Sequence, residues 1–128
     1  MQAVPTTEAK QQAKQLVEDY LEALSGKPKP DELLDRYLND AGLKEHILVA
    51  EAAFPLYELI PHQIVAEGDL VAVRATFRGV HKGEFAGMPP TGKRVSSDLM
   101  IFYRVRDGLI IEHWLQMDMK DIVEQLSR

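Results

Sequence analysis

The chain has 128 residues, a net charge of −5 and an ordinary balance of 45% hydrophobic and 27% charged residues. This length suits one domain, and we expect residues 1–128 to form a single one. The absence of cysteine excludes disulfides, a thiol nucleophile and cysteine-ligated metals. The acidic charge argues against a nucleic-acid partner, and no apolar run approaches the roughly 20 residues of a membrane span. No secretory signal is visible, so we expect a cytoplasmic protein without a membrane partner.

The periodicity of apolar residues in the first half predicts helices over residues 6–25, 31–38 and 41–54. Thr6 or Thr7 can cap the first helix, and Asp40 can cap the third. Gly26 ends the first helix and Pro55 ends the third, since both residues interrupt helical geometry.

The second half alternates as strands do, and it predicts four of them, over residues 56–67, 70–81, 94–106 and 109–117. Pro61 is expected at a sheet edge or a bulge. A loop rich in glycine and proline fills residues 82–93, and a short helix ends the chain. Helices followed by an antiparallel meander are typical of the α+β class. A helical layer on one face of such a sheet would enclose a dry core or a pocket.

The last strand carries polar residues that a plain structural strand would not need. Among its large hydrophobes stand Glu112, His113, Trp114, Gln116 and Asp118. Burying a carboxylate or an imidazole costs several kcal/mol unless the group is paired or neutralised. This pattern indicates a cap, a hydrogen-bonded network or a working pocket.

Two motifs carry a resemblance to a known family. The first is Gly87-Met88-Pro89-Pro90-Thr91-Gly92-Lys93 in the loop, and the second is Glu112-His113-Trp114 in the last strand. Together with the order of elements, they resemble the SnoaL-like polyketide or ester cyclases of the NTF2-like superfamily. The resemblance implies a cone-shaped α+β barrel, with N-terminal helices packed on a curved antiparallel sheet around a deep apolar pocket.

The resemblance also implies chemistry. It suggests a cyclase or isomerase type of enzyme in which an aspartate acts as acid and base on an acidic carbon next to carbonyl groups, with no cofactor. Family members often read Glu-His-Trp-Asp-x-x-Asp; here Leu115 replaces the first aspartate and Asp118 matches the second. We therefore expect a small hydrophobic molecule as partner, and a homodimer formed through the outer face of the sheet. The alternative is a binding protein that does no chemistry.

Asp118 has two interpretations. As an acid/base it would need a partly desolvated site that raises its pKa toward the working pH. As a cap it would stand at the start of the terminal helix, with Asp121 three residues later in the first turn.

The neighbours of Asp98 depend on the register of the hairpin at Asp107-Gly108. A two-residue turn would place Asp98 on the face of His113, whereas a three-residue loop with a bulge would place it with Trp114, Gln116 and Asp118. We favour the second register, which would gather two carboxylates beside an indole in a pocket wall. The alternative for Asp98 is a solvated carboxylate at the end of a strand.

His113 is a candidate proton carrier or orienting residue, and its alternative is a structural histidine. The residues expected to contact a ligand are Trp114, His46, Tyr57, His81, Phe85, Met88 and Gln116. The loop at residues 83–93 could be a lid or a rigid connector. No two histidines have metal-ligand spacing, so we expect no metal site.

Overall fold

A computed structural model describes the backbone of residues 7–128 and the side chains from residue 11 onward. The elements of this part are α1 (Thr7–Leu24), α2 (Asp31–Tyr37), α3 (Ala41–Ala53), β1 (Glu58–Glu67), β2 (Leu70–Val80), β3 (Arg94–Arg106), β4 (Leu109–Met117) and α4 (Met119–Ser127). None of these helices is both long and apolar enough to cross a membrane. The cap expected at Thr6 or Thr7 lies outside the described side chains.

The four strands form one antiparallel sheet in the order β1-β2-β3-β4. The α+β prediction is confirmed, and the sheet stays open, with β1 and β4 as its edges. The bulge expected near Pro61 is present, since the register of β1 shifts between Pro61 and Gln63. β1 begins two residues later than predicted because Leu56 adopts a left-handed conformation, with φ of 60°, in the turn after α3.

The two faces of the sheet differ sharply in burial. Along β3 the buried positions are Val95, Ser97, Leu99, Ile101 and Tyr103, and the residues between them are exposed. The helices cover the buried face, which we call the inner face, and α1 and α4 make direct contact with it. The opposite face is the outer face. The core therefore lies between the helices and the inner face.

The β3–β4 hairpin combines a tight turn with a bulge. Arg106 pairs with Leu109 across a two-residue turn in which Asp107 and Gly108 both have positive φ angles, of 53° and 74°. This geometry is the type I′ turn that suits two-residue hairpins. The predicted three-residue loop is therefore wrong. The register then shifts by one residue at Ile111, opposite the Arg104 to Val105 step.

Lys29 fixes the connector between α1 and α2 to the rest of the core. Its side chain is fully buried, and its Nζ donates to the Glu51 carboxylate at 2.8 Å and to the backbone carbonyls of Lys27 and Tyr57 at 2.9 and 3.2 Å. Nζ also lies 4.1 Å from the centroid of the Tyr57 ring. Burial lowers the pKa of Lys29, and the Glu51 carboxylate opposes that shift. All three ammonium protons thus have partners.

This arrangement predicts a large stability loss on substitution of Lys29. Lys29→Met keeps the apolar stem but removes a donor from two backbone carbonyls and the counter-charge of Glu51, which we expect to lower the free energy of unfolding by about 2–4 kcal/mol. Urea unfolding followed by circular dichroism measures the change. The matched control is Lys44→Met, whose ammonium pairs with Asp35 at the surface and should leave the midpoint almost unchanged. Equal effects of the two substitutions would contradict the assignment.

Candidate functional site

An apolar cavity of about 490 Å³ lies between the inner face and the helices. Its volume falls in the range of cavities that hold drug-sized molecules. All four strands and α1, α3 and α4 contribute to its wall. The lining side chains that carry polar atoms are Tyr20, Tyr57, Tyr103, Glu45 and His46. The rest of the wall is aliphatic and aromatic, with Phe54, Phe77, Leu99, Leu115 and Ile122 among its members.

A carboxylate–imidazole pair stands at one edge of this cavity. The segment after α2 runs along β4, where Leu38 forms a bridge to Ile110 and the Asn39 N–H donates to the Ile110 carbonyl at 2.8 Å. This pairing brings Asp40 to His113, and His113 Nδ1 lies 2.7 Å from Asp40 Oδ2. Each of the two side chains is only 13% exposed.

Asp40 is held by a second contact. Its Oδ1 accepts the backbone N–H of Leu43 at 3.1 Å, so the residue caps α3 as predicted. A carboxylate at a helix N-terminus is further stabilised by the helix dipole. The carboxylate is therefore fixed from the helix side, and it fixes the imidazole in turn. The acceptor at Nδ1 favours the tautomer that carries its proton there and leaves the lone pair on Nε2.

His113 reaches the cavity wall beside two lining residues. Its ring meets the His46 ring edge to face, with centroids 5.4 Å apart. A Cβ built on Gly42 would lie 3.9 Å from His113 Cε1, so no side chain covers the imidazole at that position. Gly42 and His46 both line the cavity, as expected for His46. The pair is thus adjacent to the apolar space and partly accessible.

Three tyrosines give the cavity most of its other polar atoms. Tyr20, Tyr57 and Tyr103 are at most 3% exposed, and within the described residues their hydroxyls have no hydrogen-bond partner. Burial raises the pKa of all three phenols. For Tyr20 the neighbouring phenols of Tyr103 and Tyr57 and the carboxylate of Asp40 raise it further. These hydroxyls therefore stay protonated at neutral pH.

Asp118 lies outside the cavity. Its Oδ1 accepts the backbone N–H of Asp121 at 2.9 Å, which makes it the N-cap of α4, and its side chain is exposed. Asp98 lies on the outer face, where its Oδ1 accepts a hydrogen bond of 2.7 Å from the Thr76 hydroxyl. The register does group Asp98 with Trp114, Gln116 and Asp118, but on the exposed outer face. The expectation that these residues form a pocket wall is therefore wrong.

Trp114 and Gln116 cannot contact a ligand in the cavity. The bulge at Ile111 turns both side chains to the outer face, and Trp114 is 48% exposed. Its ring lies 5.8 Å from the guanidinium carbon of Arg104. Of the other expected ligand contacts, Tyr57 and Phe85 line the cavity, as His46 does.

The loop after β2 is ordered by His81. The backbone N–H of Thr91 donates to His81 Nδ1 at 3.2 Å, and the Thr91 hydroxyl lies 3.0 Å from the same nitrogen. A neutral ring must then carry its proton on Nε2, which is buried without a hydrogen-bond partner in the part of the chain that is described. His81 is fully buried beside Phe54, with centroids 5.5 Å apart, and does not line the cavity.

The tip of this loop carries Phe85 and Met88. Their backbones exchange two hydrogen bonds, of 3.0 and 2.8 Å, across a turn in which Ala86 and Gly87 both have positive φ angles. Phe85 packs on Phe54, with ring centroids 5.2 Å apart, and closes one side of the cavity. Met88 packs against the core but is not a lining residue.

Sequence reasoning missed three residues of the site. Asp40 was recognisable as a helix cap, but its second oxygen meets a histidine 73 positions away. Tyr20 and Tyr103 have the spacing of ordinary core residues, and only the cavity distinguishes them. Among the described residues, no group of three or more histidine, aspartate or glutamate side chains could hold a metal ion.

The match to a known family covers most of the chain. The model of the SnoaL-like polyketide cyclases matches residues 11–126. The chain belongs to this family. No curated protein has a sequence that matches the chain.

Solved structures of this SnoaL-like fold agree with the assignment. The chain is 28% identical to AclR of Streptomyces galilaeus, a proposed hydroxylase, with a TM-score of 0.79 over 92% of this chain and 82% of that one. It is 28% identical to IdmH of Streptomyces antibioticus, a proposed polyketide cyclase, with a TM-score of 0.76 over 91% and 99%. A proposed SnoaL-like cyclase of Jannaschia, 19% identical, shares the fold with a TM-score of 0.84 over 98% of both chains.

The cap geometry of Asp118 predicts a specific pattern of stability. Asparagine also caps helices well, so Asp118→Asn should unfold close to the wild-type midpoint, whereas Asp118→Ala should lose about 1 kcal/mol. Thermal and urea unfolding of the two variants measure the difference. Equal stability of all three proteins would show that the bond to the Asp121 N–H contributes nothing.

Proposed function

We propose that this SnoaL-like protein is a cofactor-free enzyme that moves a proton on a small, hydrophobic carbonyl compound held in the cavity. The observation that carries the proposal is the 2.7 Å contact between His113 Nδ1 and Asp40 Oδ2 at the edge of the apolar space. A general acid/base group needs a fixed orientation, and the Asp40 contact fixes that of the His113 ring.

In the proposed step, His113 Nε2 takes a proton from a carbon next to a carbonyl group. The imidazole becomes positively charged, and the Asp40 carboxylate stabilises that charge while it keeps the ring in place. The electron pair of the broken C–H bond moves toward the carbonyl oxygen and forms an enolate. Return of the proton from His113 to another carbon gives isomerisation. If the enolate carbon attacks a second carbonyl, the proton goes to the alkoxide that forms, which gives cyclisation. If a hydroxyl group on the neighbouring carbon leaves, it takes the proton and departs as water, which gives dehydration.

The two carboxylates that the sequence suggested as acid/base groups are less well placed for proton transfer in the cavity. Asp118 and Asp98 are both exposed and hydrogen-bonded outside the cavity. Leu115, at the position of the family's first aspartate, lines the cavity but has no proton to exchange. The hydrogen-bonded pair of His113 and Asp40 at the edge of the cavity is therefore the better candidate.

The cavity also fits the alternative, a protein that binds an apolar molecule without reaction. The observation that favours this alternative is that His113 stands behind Gly42 and His46 and is not itself a lining residue. A substrate must then approach Nε2 through the opening left by the missing side chain of Gly42. A single set of variants separates the two functions.

Asp40→Asn tests the acid/base pair without removing the helix cap. Asparagine keeps an oxygen for the Leu43 N–H but cannot stabilise a charged imidazole, so we expect the turnover rate to fall by roughly 10²- to 10⁴-fold with the fold intact. His113→Asn should lose a similar factor. Exchange of the acidic C–H protons of bicyclic ketones such as 2-tetralone in D₂O, followed by NMR, provides the assay.

The matched control is Asp118→Asn, the same change at the other capping aspartate, which should retain the wild-type exchange rate. Gly42→Ile should slow exchange by closing the approach to His113. Binding of the ketones without faster exchange in the wild type would favour the non-catalytic alternative. Full activity of His113→Asn would exclude the pair as the acid/base.

We further propose that two copies of the chain associate through the outer face. An apolar row crosses the sheet on that face, from Val65 through Ala72 and Phe102 to Trp114, each residue paired with the next. Three of these side chains are exposed by 44% or more. A contiguous exposed apolar row indicates an interaction surface, and a second copy would bury it by a twofold repeat of the same contacts.

Phe102→Lys would place a charge in the middle of that row, and we expect it to convert a dimer into a monomer at micromolar concentration. Light scattering coupled to size-exclusion chromatography measures the mass. Leu48→Lys is the control, because Leu48 on α3 is 43% exposed, nearly as much as Phe102 at 44%, but lies away from the outer face. A monomeric wild type, or a dimeric Phe102→Lys variant, would refute this assembly.

A further inference from the structure

The three tyrosine hydroxyls of the cavity have no assigned role in the step described above. Tyr20, Tyr57 and Tyr103 come from α1, from the turn before β1 and from β3, so three separate parts of the fold direct phenols to one space. A buried hydroxyl normally finds a partner, because leaving it without one costs free energy. In the described part of the chain the single fully enclosed polar side-chain atom without a partner is His81 Nε2, so none of the three tyrosine hydroxyls is in that state.

The charge of the cavity wall favours a neutral ligand. No lysine or arginine is among the lining residues of the described chain, and the one acidic lining residue is Glu45. The nearby ammonium of Lys29 is engaged by Glu51 and two backbone carbonyls behind the Tyr57 ring. An anionic ligand would therefore lose its hydration without gaining a counter-charge. A neutral ligand with oxygen acceptors loses much less hydration free energy when it enters the cavity.

We infer that Tyr20, Tyr57 and Tyr103 are the carbonyl-binding residues of the cavity, and that they select neutral, multiply oxygenated ring compounds over the corresponding carboxylates. This inference rests on the proposed function for the identity of the reacting carbonyl, but the binding it predicts can be measured without any reaction.

The three tyrosines lie at different places along the cavity, so they would bind different parts of the ligand. Tyr103 is the cross-strand partner of His113 on the inner face, and Tyr20 packs edge to face on Tyr103, with ring centroids 5.8 Å apart. Both residues are therefore anchored on the side of the acid/base pair, where their hydroxyls would bind the carbonyl oxygen that becomes an enolate. Tyr57 packs on Phe77 farther along the cavity and would bind a second oxygen.

Phenols suit this role because they remain neutral donors. Burial raises the pKa of each tyrosine, so none ionises near neutral pH. A neutral donor can stabilise the negative charge that develops on a carbonyl oxygen without attracting a carboxylate in the ground state. Selection for neutral substrates and stabilisation of the enolate thus have the same physical origin.

The test compares the binding of three ligands of similar shape by titration calorimetry. 2-Acetylnaphthalene should bind roughly fivefold more tightly than 2-ethylnaphthalene, the gain of one net hydrogen bond. 2-Naphthoate should bind at least about tenfold more weakly than the ketone, because its charge would be buried without a partner. Equal affinity for ketone and hydrocarbon, or tight binding of the carboxylate, would overturn the inference.

A spectroscopic readout separates hydrogen bonding from packing. The ¹³C resonance of the labelled carbonyl of 2-acetylnaphthalene should move downfield on binding, and the double variant Tyr20→Phe/Tyr103→Phe should abolish that shift. Tyr37→Phe is the matched control, since Tyr37 also packs on Tyr20, at 5.9 Å, but does not line the cavity. The single variants give the same readout if the double variant does not fold. A carbonyl shift that is equal in the control and the tyrosine variants would refute the role.

Tyr57 is tested with a ligand that has two carbonyl groups. 2,6-Diacetylnaphthalene should bind more tightly than 2-acetylnaphthalene to the wild type, and Tyr57→Phe should remove that advantage. No advantage in the wild type would exclude Tyr57 as a second binding point. These binding results stand apart from the exchange assay, since Asp40→Asn should bind the ketones normally even though it fails to exchange their protons.

Discussion

The site depends on one carboxylate that makes two contacts. Asp40 Oδ1 accepts the Leu43 N–H and starts α3, while Asp40 Oδ2 meets His113 on β4. The helical layer and the edge of the sheet are therefore joined by a single side chain at the border of the cavity. Neither oxygen can move without disturbing the other contact. This double fixation is what a general base needs, because its orientation must be set before substrate arrives.

The bulge at Ile111 decides which side chains of β4 face this carboxylate. Without it, the two-residue turn would continue a regular register and place Glu112 opposite Tyr103 on the inner face. With the extra residue, His113 takes that position, and Trp114 turns outward. A one-residue shift exchanges the two faces of a strand. The same bulge therefore places the imidazole at the cavity and the indole on the outer face.

The sequence predicted the elements well because the signals for them are local. The Asp40 cap, the bulge near Pro61 and the position of the turn at Asp107-Gly108, though not its length, each follow from a few neighbouring residues. The candidate site was harder to predict from the sequence because it depends on contacts between distant segments. Asp98 and Asp118 both lie near large hydrophobic residues in the sequence. In the structure, however, Asp98 is on the outer face of β3 and Asp118 caps α4, so both side chains are exposed to solvent. Asp40 has no local feature that distinguishes it from any other capping aspartate.

A cavity of this size removes packing from the centre of a small fold, and the structure compensates at its walls. Lys29 joins the first connector to α3 and Tyr57, Asp40 joins α3 to β4, and His81 joins β2 to the loop that carries Phe85. Each is a mostly buried polar group that spans two segments and touches or neighbours the cavity wall. Apolar contacts could hold the same segments together only by filling the space between them. Directional bonds behind the wall keep the segments apart and leave the interior free for a ligand.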